Sequence, residues 1–113
     1  MKYHQRDVVE VNFLFPDGTL KIHPAIIVSN DELQKDEDGL VYLVLISSNT
    51  TINPQYSYPL SNDMLLSHSF DKPCSVKCQI IAGYTDRDIY RRLGAIKEVY
   101  FNEIVDKVIA SVF

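Results

Sequence analysis

At 113 residues the chain is long enough to bury one core without disulfide or metal staples, and its 46% hydrophobic share is that of an ordinary globular domain. A formal net charge of −4 excludes binding to duplex nucleic acid driven by neutralisation of phosphates over the whole surface, though not a local basic patch. No apolar run approaches the roughly eighteen residues that cross a bilayer, and Met1-Lys2-Tyr3-His4-Gln5-Arg6-Asp7 has no apolar signal-peptide core, so no targeting segment is expected.

Residues 1–113 read as a single domain without repeats or linkers. Residues 7–15 open with alternation, Val9, Val11 and Phe13 on one side and Val8, Glu10 and Asn12 on the other, the pattern of a half-buried strand. Pro16-Asp17-Gly18-Thr19 is a turn in which Pro presets its own φ and Gly is free to take a positive one. Residues 21–29 form the second strand. Pro24 suits the start of its apolar run and leaves His23 at a rim, with Ala25 to Val28 buried on both faces. Residues 30–39, acidic and polar, are a surface loop or a frayed helical turn.

Leu40-Val41-Tyr42-Leu43-Val44-Leu45-Ile46 is the strongest core-strand signal, and the polar run over residues 47–51 ends it. Tyr56-Ser57-Tyr58-Pro59-Leu60 is a weaker extended piece, placed near an edge by its Pro. Ser61-Asn62-Asp63 can cap a short helix through Ser67. Residues 74–81 alternate into a further strand, and residues 92–97 supply one more. Phe101, Ile104, Val105, Val108, Ile109 and Val112 then follow the spacing of an amphipathic helix. Five or six strands with short connections and one closing helix predict a small, strongly bent, barrel-like sheet capped by that helix.

Cys74 and Cys78 stand four apart on one predicted strand. That spacing puts them on one face but about 13 Å apart, too far for a disulfide. Reduced cysteines and a cytoplasmic protein are therefore expected. No CxxC or histidine pair supports a metal site, and no cofactor is expected.

The stretch Lys21-Ile22-His23-Pro24-Ala25-Ile26-Ile27-Val28-Ser29-Asn30-Asp31 carries the clearest site signal, a titratable side chain at the mouth of a rigid strand. Together with Asp7-Val8-Val9-Glu10-Val11-Asn12-Phe13 and Asp17-Gly18 it resembles the opening of the MazF/PemK toxins, with their G-D-[IV]-V-x-V start and R-P-A-[LV]-V-[IV]-S block. Val44-Leu45-Ile46-Ser47-Ser48 is similar to the family's x-P-I-T-S strand end, and Ser75-Val76-Lys77-Cys78-Gln79 to its S-x-[IVL]-x-x-[DQ] strand. Arg92-Leu93-Gly94-Ala95-Ile96 with the closing helix resembles its [KR]-[IL]-G-x-[LI] ending. The likeness runs in order along nearly the whole chain. It implies a small SH3-like barrel of the MazF, PemK and CcdB type, mostly β with a C-terminal helix. It also implies metal-independent cleavage of single-stranded RNA by a homodimer restrained by an antitoxin protein.

On the family pattern His23 stands where arginine is usual, Ser47 where threonine is usual and Arg6 where glycine opens the block. The resemblance implies catalytic roles for His23, Ser47 and Arg87, and RNA contacts from Lys21, Ser48, Lys77 and Gln79. Cleavage without a metal needs proton transfer at the 2′-hydroxyl and the leaving oxygen, and donors for charge on the phosphate. An imidazole exchanges protons near neutrality, a hydroxyl donates, and a guanidinium matches phosphate oxygens. Beside these readings stand plain ones. His23 before a strand can be a half-exposed surface residue, and Ser47 and Ser48 can end a strand for turn-making reasons. Arg87, Arg91 and Arg92 can pair locally in solvent. Tyr56 and Tyr58 offer either a stacking face for bases or half-buried barrel residues, while His4 and His68 read as surface. Two other functions remain: a non-catalytic RNA- or peptide-binding module on the same barrel, and a structural domain outside the family. Val99, Tyr100, Phe101, Val112 and Phe113 exceed what one small core needs to bury, which points to an interface.

Overall fold

The computed structural model describes residues 2–48 and 53–113. Of the polar run expected to end the third strand, residues 49–51 lie outside the described residues. The elements follow in order: β1 (Asp7–Leu14), β2 (Leu20–Ile27), α1 (Asp31–Asp36), β3 (Leu40–Ser47), β4 (Ser57–Leu60), β5 (Cys74–Thr85), β6 (Ile89–Ala95) and α2 (Glu98–Val112). All pairings are antiparallel, in the sheet order β4-β5-β3-β2-β1-β6. The protein is thus mostly β with a C-terminal helix, as the alternation and the final change of period predict. The ladder is not a closed barrel. Its two ends meet through one bridge, Leu65 to Ile96, flanked by Leu66 N donating to Ala95 O at 2.9 Å and Lys97 N to Met64 O at 2.9 Å.

Alternation sorts the core into two layers. Val8, Ile26, Val44, Ile46, Val76 and Cys78 project to the face that α2 covers with Phe101, Ile104 and Val108. Val9, Val11, Phe13, Ala25, Ile27, Leu43 and Leu45 project to the other face, where Tyr3 joins them. The unbroken apolar run of β3 follows from this: buried on both faces, it has no polar side to show. Only Tyr42 in that run is exposed, and its ring lies against Gly83, the residue opposite it on β5.

Several boundaries differ from the sequence reading. β5 runs to Thr85 because its register with β3 jumps from Val44–Ile81 to Leu45–Lys77. The extra residues form a bulge, at which Cys78 N donates to Tyr56 O at 2.8 Å, and bulges bend a strand without ending it. β6 starts at Ile89, three residues before the predicted piece. The helix expected through Ser67 is one 3-10 turn, Asn62–Met64, since the chain must extend at once to reach Ile96. The acidic segment resolves as α1, capped by Asn30, whose side chain accepts from Leu33 N at 2.8 Å.

Pro24 is not at the start of its strand: it sits within β2, opposite Glu10 of β1. The sheet tolerates it because β2 pairs with β3 only from Ala25 to Ile27. Ahead of Ala25 the β3 side of β2 is an edge, where a missing N–H breaks no ladder bond.

Candidate functional site

The parting of β2 from β3 builds the site. Beyond the Ala25–Leu45 pair the two strands separate, β2 back toward Leu20 and β3 on to Ser47. Opposite residues of an antiparallel pair share a face. The Val11–His23 and Phe13–Lys21 pairs therefore set His23 and Lys21 on the face of Val11 and Phe13, and alternation along β3 sets Ser47 on that same face. The backbone of His23 is held by β1, and its ring meets the Phe15 ring edge-on with centroids 5.1 Å apart.

Two hollows flank the notch. One, of about 540 Å³, is lined by Lys21, His23, Ser47 and Ser48 on the strand side and by Phe15, Pro16, Asp17 and Thr19 of the β1–β2 turn. The other, of about 290 Å³, includes Ile22, Pro24 and Ile46 with Phe70 and Lys72 from the β4–β5 connection and Cys74 at the start of β5. His23 and Ser48 line both. The turn is closed by a backbone bond, Phe15 N donating to Thr19 O at 2.9 Å, and Gly18 sits at φ 88°, a left-handed conformation that glycine adopts without strain. The Thr19 hydroxyl and backbone N–H, each bonded to Asp17, hold its carboxyl below the usual range, and the Lys21 ammonium adds to this. Burial pushes the Cys74 thiol up, so it sits in its hollow as a neutral thiol.

Four of the seven sequence-predicted residues thus come together: His23, Ser47, Lys21 and Ser48. The other three do not join them. Arg87 lies at the far end of β3, where its Nη1 donates to Asp38 O at 3.3 Å and its guanidinium stands 3.6 Å from the Asp38 carboxylate and 3.8 Å from that of Asp86. Thr85 faces Leu40 across the sheet, and at a strand rise near 3.3 Å that end is about 23 Å from Ser47. A single phosphate at His23 is therefore out of reach of Arg87 of the same chain, and the structure does not bring the two together. Lys77 is buried within the sheet, opposite Leu45 on one side and Ser57 on the other. Gln79 is exposed in the β5 bulge, and neither lines either hollow. Among the described residues no three His, Cys, Asp or Glu side chains group in a way that would hold a metal ion.

The sequence reading missed Phe15, Phe70 and Lys72. A signal existed for Phe70, which begins the polar run Phe70-Asp71-Lys72-Pro73 where no strand periodicity asks for an aromatic, whereas Phe15 simply continues the alternation of Val9, Val11 and Phe13.

A family model described as PemK-like, MazF-like toxin of type II toxin-antitoxin system matches residues 4–112. The chain belongs to that family. No curated protein matches it. Among solved structures it is similar to MazF (Form-I) of Deinococcus radiodurans, at TM-score 0.74 and 14% identity over 96% of this chain and 94% of that one. The Mycobacterium tuberculosis toxin MazF-mt6 aligns at TM-score 0.69 and 16% identity, over 91% and 92% of the two chains. An endoribonuclease of a mycobacterial species, in complex with its cognate antitoxin, aligns at TM-score 0.68 and 14% identity, over 96% and 93%. These likenesses show that the fold is that of MazF.

Proposed function

We propose that this toxin-family chain is an endoribonuclease that cuts single-stranded RNA at the notch between β2 and β3. The observation that carries the reading is the convergence of His23, Lys21, Ser47 and Ser48 on one hollow, supported by family membership. In this mechanism the scissile phosphate lies over Ser47 and Ser48. The His23 imidazole takes the proton of the neighbouring 2′-hydroxyl, whose oxygen attacks phosphorus. The bond to the 5′-oxygen breaks, that oxygen takes a proton from water, and a 2′,3′-cyclic phosphate remains. The hydroxyl of Ser47 donates to a phosphate oxygen, and the Lys21 ammonium meets the growing negative charge, a role for which Arg87 is too distant. Every one of these groups comes from the chain itself, so cleavage is expected to persist in chelator.

The partners follow from the same reading. Ile109, Val112 and Phe113 at the end of α2 are exposed, Phe113 by 90%, and form the kind of apolar patch that a second copy covers. We infer a cytoplasmic homodimer restrained by an antitoxin protein. The reading is supported by the antitoxin complex formed by the mycobacterial structural neighbour.

The test is cleavage of a long single-stranded RNA with chelator present. Wild type should give discrete fragments ending in cyclic phosphate, and His23→Ala should lose about a hundredfold or more in rate while keeping its fold, the scale of removing a proton-transfer group. RNA left whole by wild type, with and without divalent metal, overturns the reading. The replacement of the family's arginine by His23 favours one second reading, a module that binds RNA without cutting it. Retained binding with no fragments, and no growth arrest on expression, would be its result.

A further inference from the structure

The hollow on the α2-side face of the notch has no role in the chemistry above, yet it is built with care. Asn62 clamps the backbone of Phe70 at two points: its Nδ2 donates to Phe70 O at 3.2 Å, and its Oδ1 accepts from Phe70 N at 2.9 Å. The Phe70 ring is set further by the His68 ring, edge-on with centroids 4.8 Å apart. This loop lies so close to β6 that a Cβ on Gly94 would stand 3.0 Å from both His68 Cβ and Ser67 Oγ. A loop held in this way presents Phe70, Asp71 and Lys72 to a space that shares His23 and Ser48 with the catalytic hollow.

We propose that this hollow is a nucleotide subsite: it takes the nucleotide next to the scissile phosphate, with Phe70 as the stacking platform for its base and Lys72 as the partner of its phosphate. The inference rests on the endoribonuclease reading and names how the substrate continues past the cut. Each hollow pairs one aromatic with one lysine, Phe15 with Lys21 and Phe70 with Lys72, and His23 stands between them. A single strand crossing the notch has a stacking face and a cation on each side of the reacting bond, the combination that single-strand binders use. The Asp71 carboxylate accepts hydrogen bonds, so a base seated there meets it with an N–H, either of an amino group or of a ring nitrogen.

The experiment uses the full chain, an uncleavable 2′-O-methyl RNA oligonucleotide of mixed sequence for binding, and a long RNA whose cut ends are sequenced. Phe70→Leu is expected to weaken binding roughly five- to a hundredfold, the span attached to one lost base stack. The same substitution should erase the base preference at one position beside the cut, and Phe70→Tyr should restore both. Lys72→Ala should lower the slope of log affinity against log salt by about 0.7, one single-strand phosphate contact. Wild type that binds and cuts while Phe70→Leu keeps wild-type affinity and cut-site preference overturns the subsite and leaves the activity standing. Phe70→Leu that changes only thermal stability overturns it equally. Wild type that neither binds nor cuts RNA removes the endoribonuclease reading and the subsite with it.

Discussion

Arg6 shows how a single residue can carry a cost that its surroundings impose. Its φ is 78°, in the left-handed region where a Cβ crowds the carbonyl. Two backbone bonds leave it no alternative: its N–H donates to Ile27 O at 2.9 Å, and its carbonyl accepts from Ile96 N at 2.9 Å, tying β2 to the end of β6. The resemblance to the MazF/PemK opening sets a glycine against this place, and a left-handed backbone is one that glycine adopts without strain. Left-handed geometry costs an L-residue about 1–2 kcal/mol, while glycine loses roughly 0.5–1 kcal/mol through its freer unfolded chain. Arg6→Gly is therefore expected to stabilise the protein by about 0.5–1 kcal/mol, read as a higher denaturation midpoint; a lower one would show that the Arg6 side chain contributes more than its backbone costs. The conformation itself could not be read from the sequence, because only the two bonds that Arg6 makes, to Ile27 of β2 and to Ile96 just past β6, compel it. His23 teaches the same lesson at the site: its identity was legible, but its exposure to the notch follows from where β3 stops pairing.

Between elements, the contact of β4 with α2 is the most informative. Tyr58 of β4 donates its hydroxyl to the Glu103 carboxylate of α2 at 2.9 Å. Burial, and then that bond and the Glu103 charge, push the phenol up to about 12. The fold thus favours the neutral phenol, and the unfolded chain ionises first. The stability linked to Tyr58 is complete below about pH 10 and is lost as pH rises toward about 12. A spectrophotometric titration should lose a late-titrating phenol in Tyr58→Phe. That variant should cost about 0.5–1.5 kcal/mol at neutral pH, the net worth of one hydrogen bond, and if its alkaline unfolding matches wild type the linkage is wrong. The sequence showed β4 as an edge piece and α2 as amphipathic, because both are local patterns. It understated β5 and β6: a bulge and an early start leave no mark on alternation, which reports faces and not registers. The predicted helical stripe was also too long. Phe101, Ile104 and Val108 are buried, while Ile109 and Val112 stay 52% and 46% exposed, so the face that packs on the sheet is narrower than the apolar spacing predicts.

At the scale of the molecule, those exposed residues bear on assembly. Ile109, Val112 and Phe113 lie within about one helical turn of each other and are all exposed. Ile109→Glu should leave the stability of the monomer within about 0.5 kcal/mol, as surface changes usually do, while converting a dimer to a monomer in sedimentation equilibrium. A wild-type chain that is monomeric at micromolar concentration would count against the homodimer. The sequence by itself determined the strand-rich body, the closing helix and the family, because strand and helix periods are local and a run such as residues 40–46 can be satisfied only by burial on both faces. His23, Lys21, Ser47 and Ser48 were also legible in it as candidates, since their residue types and places at strand ends are local features. Tertiary structure alone decided which of them meet. His23 and Ser47 are 24 positions apart in sequence and adjacent across a parting ladder, whereas Arg87 is carried to the opposite end of the same strand. Register sets such distances, and register is the outcome of the whole sheet packing against α2 and the second core, not of any segment taken alone.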